Sequence, residues 1–205
     1  MTRSDGLPHP DFPVLARRLG AILAGGQSSR FGRDKAEALL AGKRLIDHVA
    51  EQLGPQAGSV VVIGGPPRQG HDTVPDRPAP GLGPLGGLNA ALHEAQRRGL
   101  PWVLSVPCDA ACFPADLAAR LADGLGCAPA AYARSDGRDH PTFGLWSVAL
   151  APVLDAWLAI DRPPRERAIR RWAASVGAVA VNLPDGSIAN INTPEDLAAL
   201  TRTMG

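Results

Sequence analysis

Between residues 25 and 35 the chain sets out three glycines (Gly25, Gly26, Gly32), two hydroxyls (Ser28, Ser29) and three cations (Arg30, Arg33, Lys35). Glycine lets backbone N–H groups turn toward an anion with no Cβ in the way, and Arg30 and Lys35 add full positive charge. That combination suits a nucleoside triphosphate. A short apolar run, Leu19 to Leu23, precedes it and predicts a buried strand. A Walker P-loop is excluded, because Gly32 is followed by Arg33-Asp34-Lys35 rather than by Lys and a hydroxyl residue.

Asp109 closes Ser105-Val106-Pro107-Cys108-Asp109, directly after a second apolar run. A carboxylate at a strand end projects into a ligand crevice, and one is enough to anchor a Mg²⁺ held mainly by phosphate oxygens and water. Spacing alone equally allows a solvated cap. Gly81-Leu82-Gly83-Pro84-Leu85-Gly86 fits the letters of a dinucleotide fingerprint, but a proline-rich loop (residues 76–80) precedes it, where that fingerprint needs a strand. Gly137-Arg138-Asp139-His140-Pro141-Thr142 brings together a cation, an acid and an imidazole, readable as an acid–base set, a polar turn or a second-substrate contact. Asn190-Ile191-Asn192-Thr193-Pro194-Glu195-Asp196 reads as helix capping, with two amides to spare. His9, His48, His71 and His93 lack partners at ligand spacing and read as structural or surface groups.

Strand-like runs alternate with helical spacing, which predicts an α/β fold with a mostly parallel sheet and helices on both faces. Strands are expected at Leu19–Ala24, Ser59–Ile63, Trp102–Val106, Ala130–Ala133, Thr142–Trp146 and Ala178–Asn182. Helices are expected at Arg44–Leu53, Leu85–Arg98, Asp116–Asp123, Leu150–Leu158, Pro164–Ala174 and Pro194–Thr201, the last capped by Thr193. With 205 residues, 45% of them hydrophobic, the chain fits one domain from residue 19 onward behind a loosely ordered extension over residues 1–18. A net charge of +1 argues against nucleic acid as the main partner. Absence of a leader or an apolar run of spanning length predicts a cytoplasmic protein with no membrane contact. Cys108, Cys112 and Cys127 have no metal-finger spacing and read as small buried groups in a reducing compartment.

The run Leu23-Ala24-Gly25-Gly26-Gln27-Ser28-Ser29-Arg30-Phe31-Gly32-Arg33-Asp34-Lys35 resembles the L-A-G-G-x-S-x-R-M-G-x-x-K signature of the molybdenum cofactor guanylyltransferases and related NTP transferases, with Phe31 in place of Met. Pro107-Cys108-Asp109, Gly83-Pro84-Leu85-Gly86-Gly87, Arg138-Asp139-His140-Pro141-Thr142 and the Asn190–Glu195 run resemble further motifs of that family, in its order. The resemblance implies a single-domain, Rossmann-like nucleotidyltransferase fold that moves GMP from GTP to the terminal phosphate of molybdenum-bound molybdopterin and releases pyrophosphate. It assigns catalysis to Arg30, Lys35 and Asp109, with Asp109 on Mg²⁺. It assigns GTP to Leu23, Ala24, Gly25, Gly26, Lys35, Asp76, Gly83, Leu85, Gly87 and Asp109. Arg138, Asp139, His140, Arg167, Asn190 and Asn192 fall to the acceptor. A family Asn after the second strand is replaced by Ile63 or Gly64. The implied protein is a monomer whose partners, besides GTP and molybdenum cofactor, are delivery proteins and recipient molybdoenzymes.

The chemistry agrees with that implication. A phosphate monoester is anionic at neutral pH and needs no general base, only positioning and charge neutralisation. Three alternatives remain open at this level: a same-fold transferase using CTP or a sugar phosphate, an NAD-dependent oxidoreductase, and a non-catalytic cofactor carrier.

Overall fold

The computed structural model describes residues 17–25, 34–163, 166–191, 193 and 195–196. Strands in chain order are β1 (Arg18–Leu23), β2 (Leu39–Leu40), β3 (Lys43–Arg44), β4 (Ser59–Ile63), β5 (Thr73–Val74) and β6 (Trp102–Pro107), then β7 (Ala110–Cys112), β8 (Ala130–Ser135), β9 (Arg138–Ser147), β10 (Val179–Asn182) and β11 (Ala189–Asn190). The helices are α1 (Leu45–Leu53), α2 (Pro84–Arg97), α3 (Leu117–Leu125), α4 (Ala151–Leu158) and α5 (Ile169–Ser175).

Seven strands form one sheet in the order β10-β8-β9-β6-β1-β4-β5. β6 lies at its centre with β1 beside it; β1 is parallel to β4 and β6, and only β9 runs against its neighbours. Alternation along β1 explains the continuous apolar run: Ile22 joins one core, while Leu19, Ala21 and Leu23 join the other. α1 and α3 cover the first face, and α2, α4 and α5 cover the second. Each buried aliphatic side chain contributes about 1.5–3 kcal/mol. The loop leaving β1 therefore starts from an immobile anchor, which a site at the strand ends requires.

The expected helices and strands are present with shifts of one or two residues, apart from three departures. The helix expected over 164–174 is α5, which begins at Ile169, and residues 164–165 lie outside the described residues. The helix expected from Pro194 also lies mostly outside them. Thr193 and Asp196 exchange capping bonds at its start, Thr193 N–H to Asp196 Oδ2 at 2.9 Å and Asp196 N–H to Thr193 Oγ1 at 3.1 Å. The third departure matters for the site. β9 begins at Arg138 rather than Thr142, because Asp136 and Gly137 both adopt positive φ (53° and 68°) and close a two-residue hairpin with β8. Pairing then jumps from Tyr132↔Gly144 to Ala133↔His140, so Pro141, Thr142 and Phe143 bulge out of the ladder.

That bulge is pinned from below. Ser105, fully buried in β6, donates to the Thr142 carbonyl at 2.8 Å and accepts from Trp146 Nε1 at 2.9 Å. The cysteine expectation needs correction: Cys112 and Cys127 are exposed, and only Cys108 is partly enclosed. Cys112 sits in a two-residue pairing with β11, and Cys127 follows the end of α3, so neither meets a core.

Candidate active site

The carboxyl ends of β1 and β6 open onto a cavity of about 310 Å³. Its walls include Leu23, Gly25, Lys35, Asp76, Gly83, Gly87, Asp109 and Asn190, all expected site residues, together with Pro84, Pro107, Cys108 and Thr142. The motifs that lie far apart in sequence therefore converge on one space, at the place where open α/β sheets bind ligands.

Lys35 and Asp109 meet across this space, Nζ to Oδ2 at 2.7 Å, with side chains only 12% and 23% exposed. Lys35 opens a single 3-10 turn, residues 35–37, whose first N–H groups are capped by Asp34 accepting from Ala36 at 3.1 Å. Asp109 is held by its own backbone: its carbonyl accepts from Ile191 N–H at 2.9 Å. The short β7–β11 pairing brings Asn190 beside Ala110, so Asn190 stands next to Asp109 although 81 residues later. No group of three or more His, Cys, Asp or Glu able to cage a metal exists among the described residues. Beside it, the Cys108 thiol is pushed up to about 12, by burial first and Asp109 second, and stays protonated at neutral pH.

Asp76, just after β5 in the chain, lies on the other flank of β1, against the loops that leave β1 and β4. Its carboxylate is packed between glycines: a Cβ on Gly25 would stand 2.8 Å from Oδ1 and closer still to Oδ2. A Cβ on Gly64 would stand 2.7 Å from Oδ1 and 2.6 Å from the Gly25 Cα. Any side chain at position 64 would therefore displace the carboxylate or the β1 loop. Oδ1 is buried with no hydrogen-bond partner among the described residues, and burial raises the Asp76 carboxyl above the usual range. A buried acceptor of this kind costs about 1–3 kcal/mol unless a donor meets it.

A second cavity of about 370 Å³ is lined by Asp136, Arg138, His140, Ile188 and Asn190. Asn190 borders both cavities, and its Oδ1 is likewise buried without a partner among the described residues. His140 packs its ring edge against Phe143 at 6.2 Å between centroids.

Four expected site residues are not brought to these walls. Asp139 is turned away by strand alternation and pairs with Arg134 at 2.6 Å. Arg167 lies in the segment before α5 and lines neither cavity; its N–H is bonded to the Pro163 carbonyl. The Leu85 side chain is fully buried under the sheet, and that of Ala24 faces the opposite core, so only their backbones could reach a ligand. Gly26, Arg30 and Asn192 lie outside the described residues. Sequence reasoning passed over Thr142 as a wall residue, although Pro141 just before it signalled a break in the ladder.

Comparison with known proteins gives the same picture. The model of the MobA-like NTP transferase domain matches residues 20–176. The chain is 40% identical over 195 residues to a molybdenum cofactor guanylyltransferase of Rhizobium leguminosarum bv. trifolii, covering 90% of this chain and 92% of that protein. With the molybdenum cofactor guanylyltransferase of Rhodobacter capsulatus it shares 43% over 187 residues, 89% of this chain and 94% of the other. The fold matches the crystal structure of molybdopterin-guanine dinucleotide biosynthesis protein A from Archaeoglobus fulgidus with a TM-score of 0.68 at 22% identity, covering 91% and 98% of the two chains. The chain thus belongs to the MobA-like NTP transferase family, in the branch of the molybdenum cofactor guanylyltransferases.

Proposed function

We propose that this chain transfers GMP from GTP to the terminal phosphate of molybdenum-bound molybdopterin and releases pyrophosphate. The observation that carries the reading is the polarity of the cavity. On one flank of β1 stands an unpartnered carboxylate oxygen, Asp76 Oδ1, which needs a donor. On the other stands the Lys35–Asp109 pair. A nucleoside triphosphate carries its donors on the base and ribose and none on its ionised phosphates, so it fits in one direction only. The nucleoside lies toward Asp76, Gly25, Gly83 and Gly87, and the phosphates lie toward Lys35 and Asp109.

In this orientation Lys35 holds the triphosphate and neutralises charge as pyrophosphate leaves. Arg30 is assigned the same task by the resemblance alone. The single carboxylate of Asp109 suits Mg²⁺, which takes few protein ligands when phosphates supply the rest. Bound there, Mg²⁺ supplies charge neutralisation on the phosphate oxygens. Asp109 would hold that ion, and the Lys35 ammonium, 2.7 Å from the same carboxylate, is the cation placed to meet phosphate. The acceptor enters the second cavity along Arg138 and His140, and Asn190 stands at the junction where the two substrates meet. No general base is required, and the protonated Cys108 thiol offers none. The reading entails a cytoplasmic monomer that hands its product to recipient molybdoenzymes, directly or through delivery proteins. No helix among the described residues is long and apolar enough to cross a membrane.

Mass spectrometry of the cofactor after incubation with GTP, CTP and Mg²⁺ tests this. A cofactor gaining GMP supports the reading; one gaining CMP moves it to the cytidylyl relatives, and one gaining neither refutes transfer to this acceptor.

A further inference from the structure

The turn that carries Lys35 is held from behind by a side chain to which the site gives no task. Arg68, in the loop after β4, is 2% exposed at its side chain. Its Nη1 reaches Glu37 Oε1 at 2.7 Å and Asp34 Oδ2 at 2.9 Å. These two carboxylates bracket Lys35 in sequence, one residue before and two residues after. A Cβ on Gly65 would stand 2.9 Å from Arg68 Nη2, so the loop is glycine where the guanidinium lies. Glu37 is also shared with Arg44 at 3.6 Å, and Arg44 donates to the Gln69 carbonyl at 3.0 Å, back in the same loop.

A guanidinium taken out of water is costly unless it is paired, so this one is fixed by its two partners as much as they are by it. Gripping a three-residue turn at both ends orients the residue between them. Lysine needs that help, since its long stem loses much rotamer freedom when its head is held. We infer that Arg68 is a positioning residue: acting through Asp34 and Glu37, it holds the turn that delivers the Lys35 ammonium to Asp109. The inference rests on the proposed role of Lys35 and Asp109 at the phosphate end of the cavity.

Reductive methylation tests the placement without any nucleotide, so its outcome is independent of whether GTP is the substrate. The chain has only two lysines, Lys35 and Lys43, and the second serves as the internal reference. In Arg68→Gln the rate at Lys35, read by peptide mass spectrometry, rises at least about fivefold while Lys43 is unchanged. Should both lysines speed up together, the variant has loosened as a whole, and the Asp34→Asn/Glu37→Gln double variant decides. There Asn still caps the turn, and the same rise confined to Lys35 is expected. An unchanged Lys35 rate in the double variant, or in an Arg68→Gln protein whose Lys43 is steady, overturns the inference. In turnover with GTP, Arg68→Gln lowers kcat about ten- to a hundredfold with KM held within about twofold, and Arg68→Lys restores part of it. An unaltered kcat in a protein that turns over GTP equally overturns it.

Discussion

Replacing Asp76 by Asn separates what the residue does for binding from what it does to stability, and the two effects have opposite signs. Burial among Gly25, Gly64 and Gly87 raises the Asp76 carboxyl above its unfolded value near 3.8. A raised acid favours the fold while protonated and loses that contribution as pH climbs through the folded value, so the anion held at neutral pH destabilises the free protein. The unpartnered Oδ1 adds to this cost. Asn has nearly the same shape and no charge, so about 1 kcal/mol is recovered. For a chain of this size that is a rise in Tm of about 2–4 °C. Binding goes the other way. A charge-assisted hydrogen bond from the nucleoside is worth about 1.5–3 kcal/mol, so affinity for GTP falls about 10- to 150-fold. Thermal denaturation without nucleotide and calorimetric titration with GTP read the two effects separately. A variant that melts lower than the parent and binds GTP as tightly would refute the reasoning on both counts.

Two further outcomes follow from polar groups held in the core and along α2. Ser105→Ala leaves the buried Trp146 Nε1 and the Thr142 carbonyl without their shared partner. It should cost about 1–3 kcal/mol in chemical denaturation, and it should weaken nucleotide binding through the released bulge. No loss of stability would mean that the Pro141–Phe143 bulge is held by other contacts. Glu94, on α2, is lowered from 4.5 to about 2, chiefly by Arg97 against the opposing effect of burial, then by Arg98. Its contribution is present above about pH 4.5 and disappears as pH falls toward 2. Glu94→Gln should therefore cost about 2–3 kcal/mol at neutral pH and flatten the acid limb of stability against pH. An acid limb identical to that of the parent would contradict it.

The sheet was legible because its central strands are buried on both faces, which writes β1, β4 and β6 as nearly continuous apolar runs. Short or irregular elements left no such trace. Two-residue pairings such as Thr73–Val74 or Ala189–Asn190 carry no periodicity, yet the second is what sets Asn190 beside Asp109. The Asp136-Gly137 pair was a readable hairpin signal, and starting the strand at Thr142 hid the alternation that turns Asp139 toward Arg134 and away from Arg138 and His140. Asp76 was legible only through resemblance. Its physical meaning comes from glycines at 25, 64 and 87 that meet in space alone. Arg68 stood in a glycine- and proline-rich loop with nothing in its neighbours to announce a buried ion pair.

The central claim is that the cavity holds GTP for attack by a phosphate acceptor, with Asp109 anchoring Mg²⁺. Initial rates of pyrophosphate release with molybdenum cofactor, compared across GTP, CTP, ATP and UTP for the parent and Asp109→Ala, test it most directly. The account predicts release with GTP that depends on both Mg²⁺ and acceptor, at least about a hundredfold slower release with the other three, and loss of release in the variant. Release of equal speed from every nucleotide, or an Asp109→Ala protein as fast as the parent, would contradict it.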